Sequence, residues 1–280
     1  MRLLLLTALV MLAFAGNSLL NRLALAGADG TGPAAFALVR LASGAAVLLA
    51  IVILRSRKAD WAALVRPLGA GALALYVLGF SFAYVTLQAG VGALILFGGV
   101  QITMFAGALL QGERIAPRRW LGAGIAFAGL VVLLWPQGAA VPDGTGAALM
   151  AAAAVGWGVY SLLGRGASDP TGATAVNFAL ALPLGVIVFV LQPDGLGARG
   201  AVLAVVSGAL TSGAGYALWY AVLPRLAPSA AAVAQLTVPV IAAAGGLLLL
   251  GELPGARFIL ASALVLGGVG LSLMRRSARR

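Results

Sequence analysis

The sequence has no cysteine and no histidine. The first absence excludes disulfides and thiolate chemistry. The second removes the imidazole on which most metal sites and many general bases depend. Charge is scarce too: Asp, Glu, Lys and Arg make up 9% of 280 residues, where a soluble domain carries about 25%. Only seven side chains are acidic, namely Asp29, Asp60, Glu113, Asp143, Asp169, Asp194 and Glu252. All fall between apolar runs or at their ends, so no pair is poised within a run as acid and base. Neither a catalytic constellation nor a cofactor or metal site is expected.

What remains is grease. Hydrophobic residues are 62% of the chain and the mean hydropathy is +1.08. A chain with so little polar surface has a bilayer as its solvent. A helix crosses a bilayer with about 20 mostly apolar residues. Ten segments qualify: roughly 3–24, 33–54, 66–87, 91–111, 118–135, 144–163, 171–191, 200–222, 229–250 and 256–274. The joints are short and carry prolines, glycines or charges, which makes sequential helices antiparallel neighbours. Arg2, the first apolar run and Ala13-Phe14-Ala15 have the look of a secretory signal. The run continues to Ala24, however, so the first segment is read as an uncleaved helix.

The net charge of +11 sits in the short loops rather than on one face, which argues against a nucleic-acid partner. With the N-terminus in the cytoplasm, fourteen of the 18 Lys and Arg residues fall on the inner side. Arg22, Arg199 and Arg257 fall outside, and Arg40 lies within the second span. The positive-inside rule therefore places both termini in the cytoplasm.

One stretch is written twice. Residues 107–134 and 246–273 share nine identities in 28 positions at a shift of 139, among them Gly112/Gly251, Glu113/Glu252 and Arg118/Arg257. Ser18-Leu19-Leu20-Asn21-Arg22 at the end of the first span is echoed by Ser161-Leu162-Leu163-Gly164-Arg165 at the end of the sixth. The chain is read as two related five-helix halves, 1–136 and 143–280. An odd helix count makes the second half enter from the opposite side. The expected fold is an all-α integral membrane protein, ten transmembrane helices in two inverted repeats around a central cavity, as in many secondary transporters. Glu113 and Glu252 are expected to cap helices 5 and 10 or to pair with Arg118 and Arg257 across the turn.

Ten spans in two halves, Arg closing helices 1 and 6, and Gly-Glu turns after helices 4 and 9 resemble the EamA-type drug/metabolite transporter superfamily. The aromatic-rich third helix is similar to that of its amino acid exporters, those for aromatic amino acids included. The resemblance covers the whole chain. It implies a bacterial inner-membrane exporter of small metabolites, with a cavity lined by helices 1, 3, 4, 6, 8 and 9. Helix 9 has the Pro that the family usually carries there, Pro239, whereas helix 4 has Gly98-Gly99-Val100-Gln101 at the matching place. A Pro kink is thus expected in helix 9 and is in doubt in helix 4.

The residues themselves bear on mechanism. Proton-coupled drug exporters hold a carboxylate inside the membrane, and these spans contain none. The expectation is facilitated transport of a neutral, zwitterionic or weakly anionic solute. Candidate substrate-binding residues are Phe80, Ser81 and Tyr84 in the third span and Gln101 in the fourth. Trp157 and Tyr160 in the sixth, Tyr216 and Trp219 in the eighth, and Gln235 in the ninth complete the polar and aromatic set. Rings pack against a ring-bearing solute, and amides and hydroxyls orient it. Read singly, each could instead glue helices together or sit in an interfacial belt, as Trp61, Trp120 and Trp135 do. Arg40 either greets a substrate carboxylate or snorkels outward to Asp29 or lipid phosphate. Gly122, Gly124, Gly129, Gly267 and Gly268 provide close helix contact, within the monomer or across a homodimer. Pro183 and Pro239 mark expected kinks. The partners are thus a small-molecule substrate and lipid. The alternatives are an exporter of nucleotide derivatives or drugs, a membrane-embedded enzyme and a passive assembly subunit.

Overall fold

The computed structural model describes residues 1–55, 64–112, 115–136, 141–164, 167–226 and 228–273. Glu113, Asp60 and Trp61 lie outside them. The helices are α1 (Arg2–Leu25), α2 (Pro33–Arg55), α3 (Pro67–Ala83), α4 (Ala89–Leu110), α5 (Pro117–Leu134), α6 (Gly144–Gly164) and α7 (Pro170–Leu191). Next comes α8 (Ala198–Arg225), whose middle, Ser207–Ala214, is wound as a π-helix. Two pieces, Pro228–Gln235 and Thr237–Leu250, make α9, and Ala256–Leu273 is α10. Among the described residues eight helices are long and apolar enough to cross a membrane, with Pro67–Ala83 and Ala256–Ser272 as shorter apolar helices. The chain is a multi-pass membrane protein.

Local chemistry sets the ends. Five helices open on proline (Pro33, Pro67, Pro117, Pro170 and Pro228), where a missing N–H costs nothing and φ is already helical. Asp169 and Asp143 cap their own helices, accepting from Gly172 N at 2.9 Å and Gly146 N at 2.6 Å. After α4 and α9 the chain turns at Gly112 (φ 73°) and Gly251 (φ 67°), left-handed conformations that suit glycine alone. The twice-written turn thus has the same backbone bend twice.

The third helix is shorter than its apolar run. It stops at Ala83, and Tyr84 to Leu87 turn back through hydrogen bonds to Phe80, Phe82 and Ala83 carbonyls. Pro183 lies inside an unbroken α7, whereas α9 is interrupted at Leu236. The cause is Pro239: it has no N–H for the Gln235 carbonyl, and its ring crowds that carbonyl. In α4, Val100 stands where Pro239 would match, and the helix runs through intact.

Between helices, small residues set the spacing. A Cβ on Gly122 would run into the Gly268 carbonyl, and one on Gly129 would sit 2.9 Å from Val265 N. These glycines serve the α5–α10 contact within the monomer, while Gly124 and Gly267 face open space. Leucines such as Leu4, Leu12 and Leu248 point outward and are exposed, as lipid-facing side chains are.

Candidate functional site

Several of the polar side chains within the spans converge. On α1, Asn17 and Asn21 are one turn apart and share a face. Asn17 Oδ1 accepts from Ser207 Oγ (2.6 Å) and Thr211 Oγ1 (3.2 Å) on α8. Asn21 Oδ1 accepts from Ser81 Oγ on α3 at 2.9 Å. The π-wound stretch of α8 presents Ser207, Thr211 and Ser212 together, and such stretches recur at functional positions. Gly208 lets it press against α2, since a Cβ there would strike the Arg40 carbonyl and Ser43 Oγ.

Arg40 crosses to this network from α2. It is 0% exposed. Its Nε donates to Ser212 Oγ and its Nη2 to the Tyr76 hydroxyl, both at 3.1 Å. The guanidinium carbon stands 4.9 Å from the Phe80 ring centroid and 5.3 Å from that of Tyr76. Ring quadrupoles favour a cation there by about 1–2 kcal/mol when desolvated. Nη1 has no hydrogen-bond partner, and among the described residues no carboxylate pairs with the group. The outward, snorkelling orientation is therefore overturned. Asp29, its supposed partner, accepts from Gly200 N (2.8 Å) and Thr31 N instead. An unpaired buried cation is costly, and the structure offsets only part of that cost.

Tyr76 and Phe80, which hold the guanidinium, also line a chamber. Asn17 and Tyr76 form its polar edge, and Phe14, Phe80, Trp157 and Tyr216 its aromatic walls, with Leu96 and Phe97 from α4 closing it. Trp157 is the hub: its ring contacts Tyr76 (4.9 Å), Tyr216 (5.0 Å), Tyr160 (5.6 Å, stacked) and Phe14 (6.5 Å). The Tyr76 hydroxyl ties wall to edge, accepting from Asn17 Nδ2 at 3.2 Å and meeting the Tyr216 hydroxyl at 3.3 Å. The chamber has room for about one water. This conformation is contracted, and a solute needs the rings to part.

The bundle end away from Met1 is fastened. Arg22 Nε and Glu252 Oε1 form an ion pair at 2.7 Å; Glu252 Oε2 accepts from Ala89 N at 2.7 Å, capping α4. Arg22 Nη1 also donates to the Tyr84 and Val85 carbonyls. Glu252 thus joins three connections rather than pairing with Arg257, which donates to Trp135 O. Asp194, between α7 and α8, caps α2 through Ala34 N and Ala35 N, both at 2.8 Å. Asp29, between α1 and α2, caps α8 in return. The Gly200 N–H, with Thr31, holds the Asp29 carboxyl below the usual carboxylate range.

The sequence candidates divide accordingly. Arg40, Phe80, Ser81, Tyr84, Trp157, Tyr160, Tyr216 and Trp219 are buried in one connected region. Tyr84 packs edge-on against Phe80, and Trp219 against Phe14. Gln101 and Gln235 are half-buried, make no side-chain hydrogen bond among the described residues and do not line the chamber. Sequence reasoning missed Asn17, Asn21, Tyr76, Phe14 and the hydroxyls of α8. Two asparagines four apart in an apolar span, and a Tyr four before Phe80, were the available signals.

A polytopic helical protein with a buried polar and aromatic centre is the architecture of a membrane carrier. The sequence profile of the EamA-like transporter family matches residues 144–274. An uncharacterized protein of Pseudomonas aeruginosa is 47% identical over 99% of this chain and 96% of its own. An uncharacterized transporter of Archaeoglobus fulgidus is 27% identical over 87% of this chain and 90% of its own. A crystal structure at 22% identity covers 96% of both chains with a TM-score of 0.66, a likeness of fold. The chain belongs to the EamA-like transporter family.

Proposed function

We propose that this protein exports amino acids and related carboxylate-bearing metabolites across the bacterial inner membrane by alternating access, with both termini in the cytoplasm. The observation that carries the reading is Arg40: a fully buried guanidinium with an unpartnered Nη1, held against Tyr76 and Phe80, two residues that line the aromatic chamber. A carboxylate is the complement such a group lacks, and the rings suit an aromatic or apolar side chain. Phe80, Trp157 and Tyr216 form the solute's walls; Ser81, Tyr84, Tyr160 and Trp219 support them. With no carboxylate in the spans, transport is facilitated rather than driven through a buried proton site.

The helix contacts support two inverted halves, 1–136 and 143–280. Exchanging α1 with α6, α2 with α7, α3 with α8, α4 with α9 and α5 with α10 sends every main seam onto itself or another. The α5–α10, α2–α7 and α4–α9 contacts map onto themselves, α3–α6 maps onto α8–α1, and α4–α6 onto α9–α1. The test is counterflow of labelled L-phenylalanine in liposomes, with and without a pH gradient. Wild type exchanges label in both cases. Arg40→Gln, which removes a charge-assisted contact, and Trp157→Ala, which removes a ring of the wall, each lower the rate at least about tenfold at normal insertion. Failure of wild type to move any labelled amino acid rejects the substrate class.

A further inference from the structure

A second cavity lies at the other end of the bundle, separate from the chamber. It lies among the start of α3, the end of α6, the start of α7 and the end of α8, and like the chamber it is contracted in this conformation, with room for about one or two waters, so a solute must part its walls. Arg66, Gly69, Tyr160, Thr174, Asn177 and Tyr220 are the residues that give it character. Arg66 is exposed at the rim, with Nη1 donating to the Leu163 carbonyl at 3.2 Å. Asn177 is deeper, 4% exposed, and its Oδ1 has no hydrogen-bond partner. An unsatisfied buried acceptor costs about 1–3 kcal/mol, so its presence in a cavity wall calls for a donor from outside the protein. Gly69 keeps the space beside it clear: a Cβ there would stand 3.0 Å from Asn177 Nδ2. The Tyr160 hydroxyl is committed to Thr174 Oγ1 at 2.8 Å, so its ring acts as a wall. The opposite neighbour of that ring is Trp157, stacked on it at 5.6 Å and lining the chamber.

We propose that this cleft is a separate solute-binding site in series with the chamber, taking a solute that carries both an anionic group and an N–H donor. The inference rests on the transport reading above and places the site on the cytoplasmic approach. Arg66 holds the carboxylate. Asn177 Oδ1 accepts from the ammonium, the group that no carboxylate in the spans can receive. The stacked pair of Tyr160 and Trp157 is the partition between this site and Arg40. A solute bound here is recognised as an α-amino acid before it enters, and its carboxylate passes from one guanidinium to the next.

The absence of native cysteine makes a single thiol unique. Ala167→Cys places one on the cleft wall of the full-length protein in nanodiscs. An impermeant maleimide labels it. L-Phenylalanine at ten times its Kd slows labelling about tenfold by occupancy. Protection persists in the Arg40→Gln background, disappears with Arg66→Gln or Asn177→Leu, and is much weaker with 3-phenylpropionate, which has the carboxylate but no donor. Arg66→Gln lies on the exposed rim and carries no packing liability, so it decides the matter if Asn177→Leu fails to fold. Equal protection by 3-phenylpropionate, loss of protection in Arg40→Gln, or no protection in a protein that does transport L-phenylalanine overturns the proposal. Protection without counterflow keeps the site and rejects the transport reading. Absence of both overturns the two together.

Discussion

Neutralising Glu252 should unfasten one end of the bundle. Its carboxylate makes two bonds of 2.7 Å, to Arg22 Nε and Ala89 N, and the paired side chains are only 17% and 11% exposed. Solvent screening is correspondingly small. Glu252→Gln retains an acceptor of similar shape but removes the charge. A hydrogen bond to a charged group contributes about 1 kcal/mol more than a neutral one, so two such bonds lose about 2 kcal/mol. If these ties hold the end shut, the open population rises about 30-fold at 1.4 kcal/mol per decade. A single thiol at Leu96→Cys, 2% exposed in the chamber wall, reports it. In intact cells an impermeant maleimide reaches only the outer face, so faster labelling also identifies that face. Refutation is equally concrete: an unchanged labelling rate together with a lowered thermal midpoint makes Glu252 a brace and nothing more.

Pro239→Ala restores the hydrogen bond to Gln235 and mends α9; export should slow with insertion unaffected, and an unchanged rate rejects a hinge there. Gly122→Ala meets the Gly268 carbonyl and should cost about 1–3 kcal/mol of stability in detergent melts, whereas Gly124→Ala, with open space around it, should be neutral. Asp29 has a lowered carboxyl pKa, so its contribution is complete above about pH 4 and is lost as pH falls through the folded value. The thermal midpoint of wild type should then drop more steeply below pH 4 than that of Asp29→Asn, and parallel curves would refute the capping role.

Hydropathy and joints made the helices legible because spanning demands length and grease, both visible in one dimension. Their faces were not legible. A span surrounded by lipid and apolar neighbours has no polar side to mark its exterior, so the four-residue spacings of Asn17/Asn21 and Tyr76/Phe80 could mark one helix face but not what that face meets. Arg40 was conspicuous as a charge, but its direction depended on Ser212 and Tyr76, 172 and 36 residues away. Gln101 and Gln235 looked equivalent to the true network members, and only packing separates them. Glu252 was expected to cap α10 or to pair with Arg257, both near it in sequence, whereas its partner Arg22 is 230 residues distant. Which loops meet at one end of a bundle is a property of topology. The break in α9 was legible, since proline acts on its own backbone.

The glycine contact between α5 and α10 has a mechanical consequence. Where Gly122 and Gly268 bring the two helices main chain to main chain, no side chain stands between them to change rotamer. In lipid, where expelling water adds nothing to helix association, such closeness is itself the adhesive. That seam lies apart from Arg40. It can serve as a fixed axle, leaving the π-wound turn of α8 and the interruption in α9 to absorb the displacement.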